Sequence, residues 1–132
     1  MRPKLLEIEG LQSFTDTQVI DFEKLGETGL FGIFGPTGSG KSTILDAITF
    51  ALYGRVKRAE NGTQGIINSR CDTARVAFTF ELGKDSNKKT YRVERTYRRR
   101  KKSPNSCEPK IARLIEVTRN GEIPLCDRAT DV

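Results

Sequence analysis

The sequence predicts an α/β fold in which one strand–loop–helix unit is ringed by antiparallel β-hairpins. Three observations carry this expectation. Residues 33–43, IFGPTGSGKST, set three glycines between a short apolar run and a helix-forming run. The stretches RVAFTFEL and TYRVERTYRRR both alternate apolar and polar residues, and the turn-forming GKDSNKK separates them. Asn120-Gly121 lies between two further β-type runs, the dipeptide most typical of a tight hairpin.

In chain order, residues 4–14 (KLLEIEGLQSF) and 17–22 (TQVIDF) read as an antiparallel pair or meander. The apolar run GLFGIFG implies a buried strand over residues 30–34 leading into the glycine loop. Residues 41–53 read as a helix, with Ile44, Leu45, Ile48, Ala51 and Leu52 on one face and Gly54 as its stop. RVKRAENGTQG, residues 55–65, is polar and reads as a loop. In the next strand Val76, Phe78, Phe80 and Leu82 share one face, and Arg75, Ala77, Thr79 and Glu81 the other. KSPNSCEP reads as a second loop, and IARLIEVT with EIPLC as a last hairpin. One helix cannot cover both faces of a sheet built around a buried strand, so a covering layer is missing from the predicted elements.

The chain has 132 residues, enough for one domain or part of one. It contains no run near the ~20 apolar residues of a membrane span, and its charged N-terminus reads as a strand rather than a signal peptide. Cys71, Cys107 and Cys126 show no metal-binding spacing and suit a reducing cytosol. Histidine is absent, which removes histidine-based catalysis from these residues. The formal net charge is +6, and much of the excess is local. Arg92, Arg95, Arg98, Arg99, Arg100, Lys101 and Lys102 face the single acid Glu94 within one stretch.

Gly35, Gly40, Lys41 and Ser42 fit G-x-x-x-x-G-K-[ST], the phosphate-loop pattern. The loop's backbone amides would form a concave anion site, and the helix that follows adds its positive end. The cofactor expected here is ATP with Mg2+, held by Gly35, Pro36, Thr37, Gly38, Ser39, Gly40, Lys41, Ser42 and Thr43. Lys41 would reach the β/γ-phosphates, and the Ser42 hydroxyl would ligate Mg2+. A chance match in a glycine-rich turn is the alternative, and the strand–loop–helix setting argues against it. Phosphoryl transfer also needs an acid at the end of a buried strand. Glu81 and Glu116 are weak candidates, so no catalytic residue is visible and nucleotide binding without turnover is expected.

The consecutive Arg98, Arg99, Arg100, Lys101 and Lys102 are candidates for binding a polyanion, which the family resemblance given below turns into DNA, against the plainer reading of a solvated hairpin tip. Alternate strand residues point to opposite faces. The strand is therefore expected to end near Arg98, with the rest of the run looping into solvent. Lys57 and Arg58 are weaker candidates, and Tyr91 and Tyr97 read as packing residues rather than base-stacking platforms.

The stretches MRPKLLEIEGLQSFTDTQVIDF, GLFGIFGPTGSGKSTILDAITFALYG, RVAFTFEL, YRVERTYRR and GEIPLCDRATDV together resemble the N-terminal ATPase segment of the SbcC family. These are large subunits of the SbcCD nuclease, related to SMC proteins and ABC ATPases. The resemblance implies a P-loop NTPase lobe of ABC/SMC type that is incomplete without a C-terminal lobe, the two joined by a long coiled coil. The Q-loop, signature, Walker B, D-loop and switch residues would then lie beyond Val132, and the chain would be a fragment. It further implies cytoplasmic, nucleoid-associated work with no membrane. The implied partners are the C-terminal lobe, a second head in a homodimer, an SbcD-type nuclease and double-stranded DNA. Ser13 and Thr15 would fall near the nucleotide, and the basic run would face the duplex. Two other classes stand beside this one: a transporter-type ABC nucleotide-binding domain, and a stand-alone nucleotide- or DNA-binding module.

Overall fold

The computed structural model of the chain describes residues 1–26, 30–128 and 132. Gly29, which opens the predicted apolar run, and residues 129–131, within the last stretch of the resemblance, lie outside them. A six-stranded antiparallel sheet forms the body, in the order β2-β1-β3-β4-β5-β6. The strands are β1 (Arg2–Glu9), β2 (Gln18–Asp21), β3 (Thr73–Leu82), β4 (Lys89–Arg100), β5 (Ser103–Thr118) and β6 (Gly121–Cys126). A single turn, α1 (Phe22–Leu25), follows β2 and is capped by the Asp21 carboxylate. The one long helix among the described residues, α2 (Lys41–Tyr53), packs on β3 and β4.

Sheet register explains the core. Leu6 pairs with Phe78, Phe78 with Val93, and Val93 with Leu114, so these side chains form one row on one face. Ile8, Val76, Arg95 and Ala112 form the next row. α2 lays Ala47, Phe50 and Ala51 onto this face, and each is fully buried. Burying Phe50 alone contributes about 1.5–3 kcal/mol. Its ring meets the edge of Tyr97 at 4.8 Å. Both tyrosines pack as expected: Tyr97 is buried, and Tyr91 lies 6.1 Å from Phe80.

The helix has the expected bounds, but its buried face is rotated. Leu45 is 62% exposed, while Thr43, Ala47 and Phe50 point inward. Gly54 ends the helix in a left-handed conformation, φ 67°, and donates to the Phe50 carbonyl. A side chain there would also press on Tyr97 and Arg95, so the position needs glycine twice over.

Arg95 is an unexpected core residue, 2% exposed in an otherwise apolar row. Its Nε donates to Ala51 O (2.7 Å), and Nη2 donates to Val132 O (2.8 Å) and Leu52 O (3.5 Å). Ala51 and Leu52 lie in the last turn of α2, where carbonyls lack helical partners and the dipole favours a cation. Burial pulls the Arg95 pKa below its ordinary value, though an arginine remains protonated.

Three expectations are corrected. No strand forms over residues 30–34, and none of the six strands pairs with this segment. Its apolar character reflects capacity for burial, yet Leu30 is 83% and Phe34 92% exposed, while the Phe31 ring packs beside Phe22. The predicted loop KSPNSCEP instead belongs to β5, with the turn at residues 101–102. Pro104 and Pro109 fall at register shifts of the β4–β5 ladder, where a missing amide donor is tolerated. Leu82 is 42% exposed at the end of β3, and Ala77 is buried on the opposite face from Phe78.

Replacing Arg95 by Met should remove the charge-assisted bonds to the α2 carbonyls and lower stability by about 2–3 kcal/mol, read by urea unfolding. A second expectation concerns the outer hairpin. Arg92 forms a double hydrogen bond to Glu122, both at 2.8 Å, across from β4 to β6. These bonds, with the Arg92 charge, hold Glu122 below its ordinary carboxylate pKa. A depressed pKa means stabilisation that is present above the unfolded value and lost as pH falls through the folded one. The protection of β6 amides from hydrogen exchange, corrected for the intrinsic pH dependence of exchange, should therefore fall in acid, and Glu122→Gln should remove that acid dependence.

Candidate functional site

A cleft of about 580 Å³ opens at the N-terminus of α2. It is lined by Thr37, Gly38 and Gly40–Thr43 from the glycine loop, by Gln12 and Ser13 after β1, and by Arg58, Ala59 and Gln64–Ile66. No carboxylate is among its described lining residues. Gly40 caps the helix in a left-handed conformation, φ 94°, with no side-chain cap. The first-turn amides of Lys41, Ser42 and Thr43 thus have no intrahelical acceptor. Phe14 lies so close to Gly40 that a Cβ would collide with its ring.

The predicted loop residues divide into two groups. Thr37, Gly38, Gly40, Lys41, Ser42 and Thr43 line the cleft, whereas Gly35, Pro36 and Ser39 shape the loop behind it. Ser39 N donates to Pro36 O at 3.2 Å. The Lys41 ammonium folds back and donates to the carbonyls of Gly35 and, at 2.7 Å, Pro36. Ser42 is exposed, and its hydroxyl is the one the motif offers to a magnesium ion. Thr43 is 3% exposed; its hydroxyl donates to Gln12 Oε1 at 3.0 Å and lies 3.4 Å from Ser13 Oγ.

Gln12 is a residue that motif reading misses. Its backbone is left-handed, φ 46°. Its amide donates to Ile66 O at 2.8 Å, and its carbonyl accepts from Asn68 Nδ2 at 2.6 Å. These two bonds hold the strained backbone, and the side chain meets Thr43 at the base of the cleft. Gln64, Gly65 and Ile66 are missed as well, because loop sequence carries no periodic signal. Ser13 lines the cleft, but Thr15 does not; its carbonyl faces the Cys71 thiol at 3.8 Å. Arg58 lines the cleft, while Lys57 lines a separate cavity beside Tyr53 and Arg55.

The donor set fits a polyphosphate: first-turn helix amides, two cations and a hydroxyl, with no carboxylate among the described lining residues. Asp46 of α2 holds the Arg58 guanidinium from behind, Nε to Oδ2 at 3.0 Å. Glu81 and Glu116 are elsewhere, in ion pairs with Lys88 (3.8 Å) and Lys89 (3.0 Å). Among the described residues no cluster of His, Cys, Asp or Glu could hold a metal by itself.

The basic run does not leave the sheet at Arg98, since β4 continues to Arg100. Pairing with β5 supplies the backbone bonds that keep it extended. Arg98 Nε donates to Glu108 at 2.6 Å, and Arg100 lies 3.7 Å from the same carboxylate. Arg99 points the other way and latches backbone carbonyls: Pro104 (2.6 Å), Asn68 (2.9 Å) and Cys71 (3.0 Å). Lys101 and Lys102 form the exposed turn. Beside it, burial pushes the Cys107 thiol up, and the thiol lies 3.3 Å from Thr63 O.

Known proteins resemble this chain along most of its length. A family model described as an AAA domain matches residues 5–124. The chain is 48% identical over 132 residues to the SbcC subunit of nuclease SbcCD from Bacillus subtilis (strain 168), covering 100% of this chain and 11% of that protein. To the protein of the same name from Clostridium acetobutylicum it is 47% identical over 119 residues, 89% of this chain and 10% of that protein. It is 43% identical over 100 residues to "Probable DNA double-strand break repair Rad50 ATPase" of Aquifex aeolicus (strain VF5), 74% of this chain and 10% of that one. The chain thus spans about a tenth of the length of these curated relatives. With the AAA-domain match running over residues 5–124 and similarity to SbcC proteins running from end to end, the chain belongs to the SbcC family of AAA-domain proteins.

Proposed function

We propose that the chain is the ATP-binding N-terminal lobe of an SbcC-type DNA-repair ATPase. One observation carries the reading: the amide end of α2, Lys41 and Arg58 converge on a cleft that no carboxylate lines among the described residues. Helix amides and the two side-chain cations would bind the phosphates. Ser42 would give Mg2+ one protein oxygen, and the ion would bridge and neutralise phosphate charge. Gln12, by holding the Thr43 hydroxyl, keeps the first turn of α2 oriented toward the ligand.

Hydrolysis in this reading belongs to the whole ATPase. Its catalytic acid and the signature motif of a second head would complete the site. The exposed apolar segment around Leu30 and Phe34 suits packing against the C-terminal lobe. ATP-joined heads would bind duplex DNA and govern an SbcD-type nuclease. Lys101 and Lys102, at the β4–β5 turn, are the best-placed phosphate contacts of the basic run, with Arg98 and Arg100 sharing Glu108 beside them. Among the described residues no helix is long and apolar enough to cross a membrane.

Isothermal titration with Mg–ATP should show binding by the wild-type chain and its loss in Lys41→Ala; equal affinities would end the assignment. Phosphate release by the chain alone should be negligible. Release at the rate of a full-length head, lost in Lys41→Ala, would reveal an overlooked acid. In an assembled head dimer with ATP, Lys101→Ala with Lys102→Ala should weaken duplex binding similarly for unrelated sequences. It should flatten log affinity against log salt by about 2 units for each head whose turn contacts the duplex. An unchanged slope would reduce the turn to a solvated tip.

A further inference from the structure

One wall of the cleft has little regular structure of its own. Residues 63–71 are turns and loop, with an isolated bridge from Ile67 to Leu11. Gln64, Gly65 and Ile66 of this segment line the cleft. Ile66 O also accepts from the Gln12 amide, and Asn68 Nδ2 donates to the Gln12 carbonyl. The segment therefore also sets the residue that meets Thr43. Carbonyls of such a loop have no ladder to pair them, and those shielded from water need a donor from elsewhere.

The donors come from the β4–β5 hairpin. Arg99 is half-buried between the exposed Arg98 and Arg100. Its Nη2 donates to Asn68 O (2.9 Å) and Cys71 O (3.0 Å), the two ends of one turn. Its Nη1 donates to Pro104 O (2.6 Å) on β5, and its backbone amide to Asp72 O (2.8 Å). Next to Pro104, the Asn105 carbonyl accepts from the Gly65 amide at 3.0 Å. A planar guanidinium with five donors joins carbonyls of two segments at fixed angles, and an ammonium cannot reproduce that fork. Arg99 is not among the residues lining the cleft, so any influence on a ligand passes through the wall.

We propose that Arg99 is a positioning residue of the nucleotide cleft: by clamping the 68–71 turn to the start of β5, it holds the Gln64–Ile66 wall and, through Asn68, Gln12 in the geometry that receives the ligand. The proposal rests on the nucleotide-binding reading above. It assigns Arg99 to the cleft and not to the basic surface that its neighbours form.

The test pairs isothermal titration of the whole chain with Mg–ATP and amide hydrogen exchange, at a temperature where thermal unfolding shows each variant folded. A wall in its binding position about a tenth of the time lowers apparent affinity about tenfold, and this is the loss expected for Arg99→Met. Protection of the Gln12 and Gly65 amides, which bond to Ile66 and Asn105, should fall in that variant, while that of α2 and β3 stays. Arg99→Lys keeps the charge and loses the fork; it should weaken binding about threefold, and it carries the comparison if the Met variant does not fold. Lys110→Met, which removes an exposed cation of β5, should bind as wild type. Wild-type affinity in the Arg99 variants, in a chain that still loses binding in Lys41→Ala, overturns the proposal and leaves the phosphate loop standing. So does a loss that Lys110→Met matches, which reports net charge alone, or a loss with both amides still protected. Wild-type affinity in Lys41→Ala overturns the phosphate-loop reading and this proposal together.

Discussion

The placement of α2 rests on one buried guanidinium. Arg95 sits among apolar neighbours on β4 and gives its hydrogen bonds to carbonyls at the C-terminal end of the helix. A buried charge is costly unless its donors are satisfied, and helix-end carbonyls are unsatisfied by their nature. Each need answers the other, and this fixes the helix along its own axis, which apolar contact alone does not. A Leu at position 95 would bury as well but would leave the carbonyls of Ala51 and Leu52 without these donors. Because the glycine loop is continuous with the first turn of α2, where Arg95 holds the helix decides where the cleft opens.

The other end of α2 is fixed by polar contacts of a different kind. Thr43 bonds to Gln12, Gln12 to Ile66 and Asn68, and Arg99 to the carbonyls of Asn68 and Cys71. This chain of bonds runs from the β4–β5 hairpin to the base of the cleft. Arg99 is thereby removed from the charged surface to which its neighbours belong. A run of like charges is thus two sets of residues: Arg99 is structural, and the others face solvent or Glu108.

Legibility in the sequence follows the kind of signal each element leaves. α2 is readable because Gly40 and Gly54 bound a periodic stretch, and β3 with β4 because alternation marks a half-buried strand. The first half of β5 is hidden: Pro104 and Pro109 imitate a loop, and bulges let a strand carry them. Residues 30–34 mislead in the opposite sense, since an apolar run records fitness for burial and says nothing about a pairing partner. Leu45 shows the limit of a helical wheel, which finds an apolar arc but not the orientation that the sheet selects. In the site, Gly35–Thr43 announces itself because a phosphate loop is contiguous. Gln12, Arg58 and Gln64–Ile66 are brought together only by the fold. Arg95 reads as surface charge because composition cannot separate a buried guanidinium from an exposed one.

Position 12 shows what such a junction means for sequence change. Its left-handed backbone, φ 46°, would be most comfortable as glycine. Its work at the base of the cleft requires an amide long enough to meet Thr43. Glycine would relax the chain and delete the contact. Asparagine tolerates the backbone but is one methylene shorter, and β-branched residues are excluded by sterics. Few single substitutions can meet both demands at once. A lineage altering this corner of the cleft would need to change Gln12 together with Thr43 or Asn68, because the backbone bend and the side-chain contact are inherited as one unit.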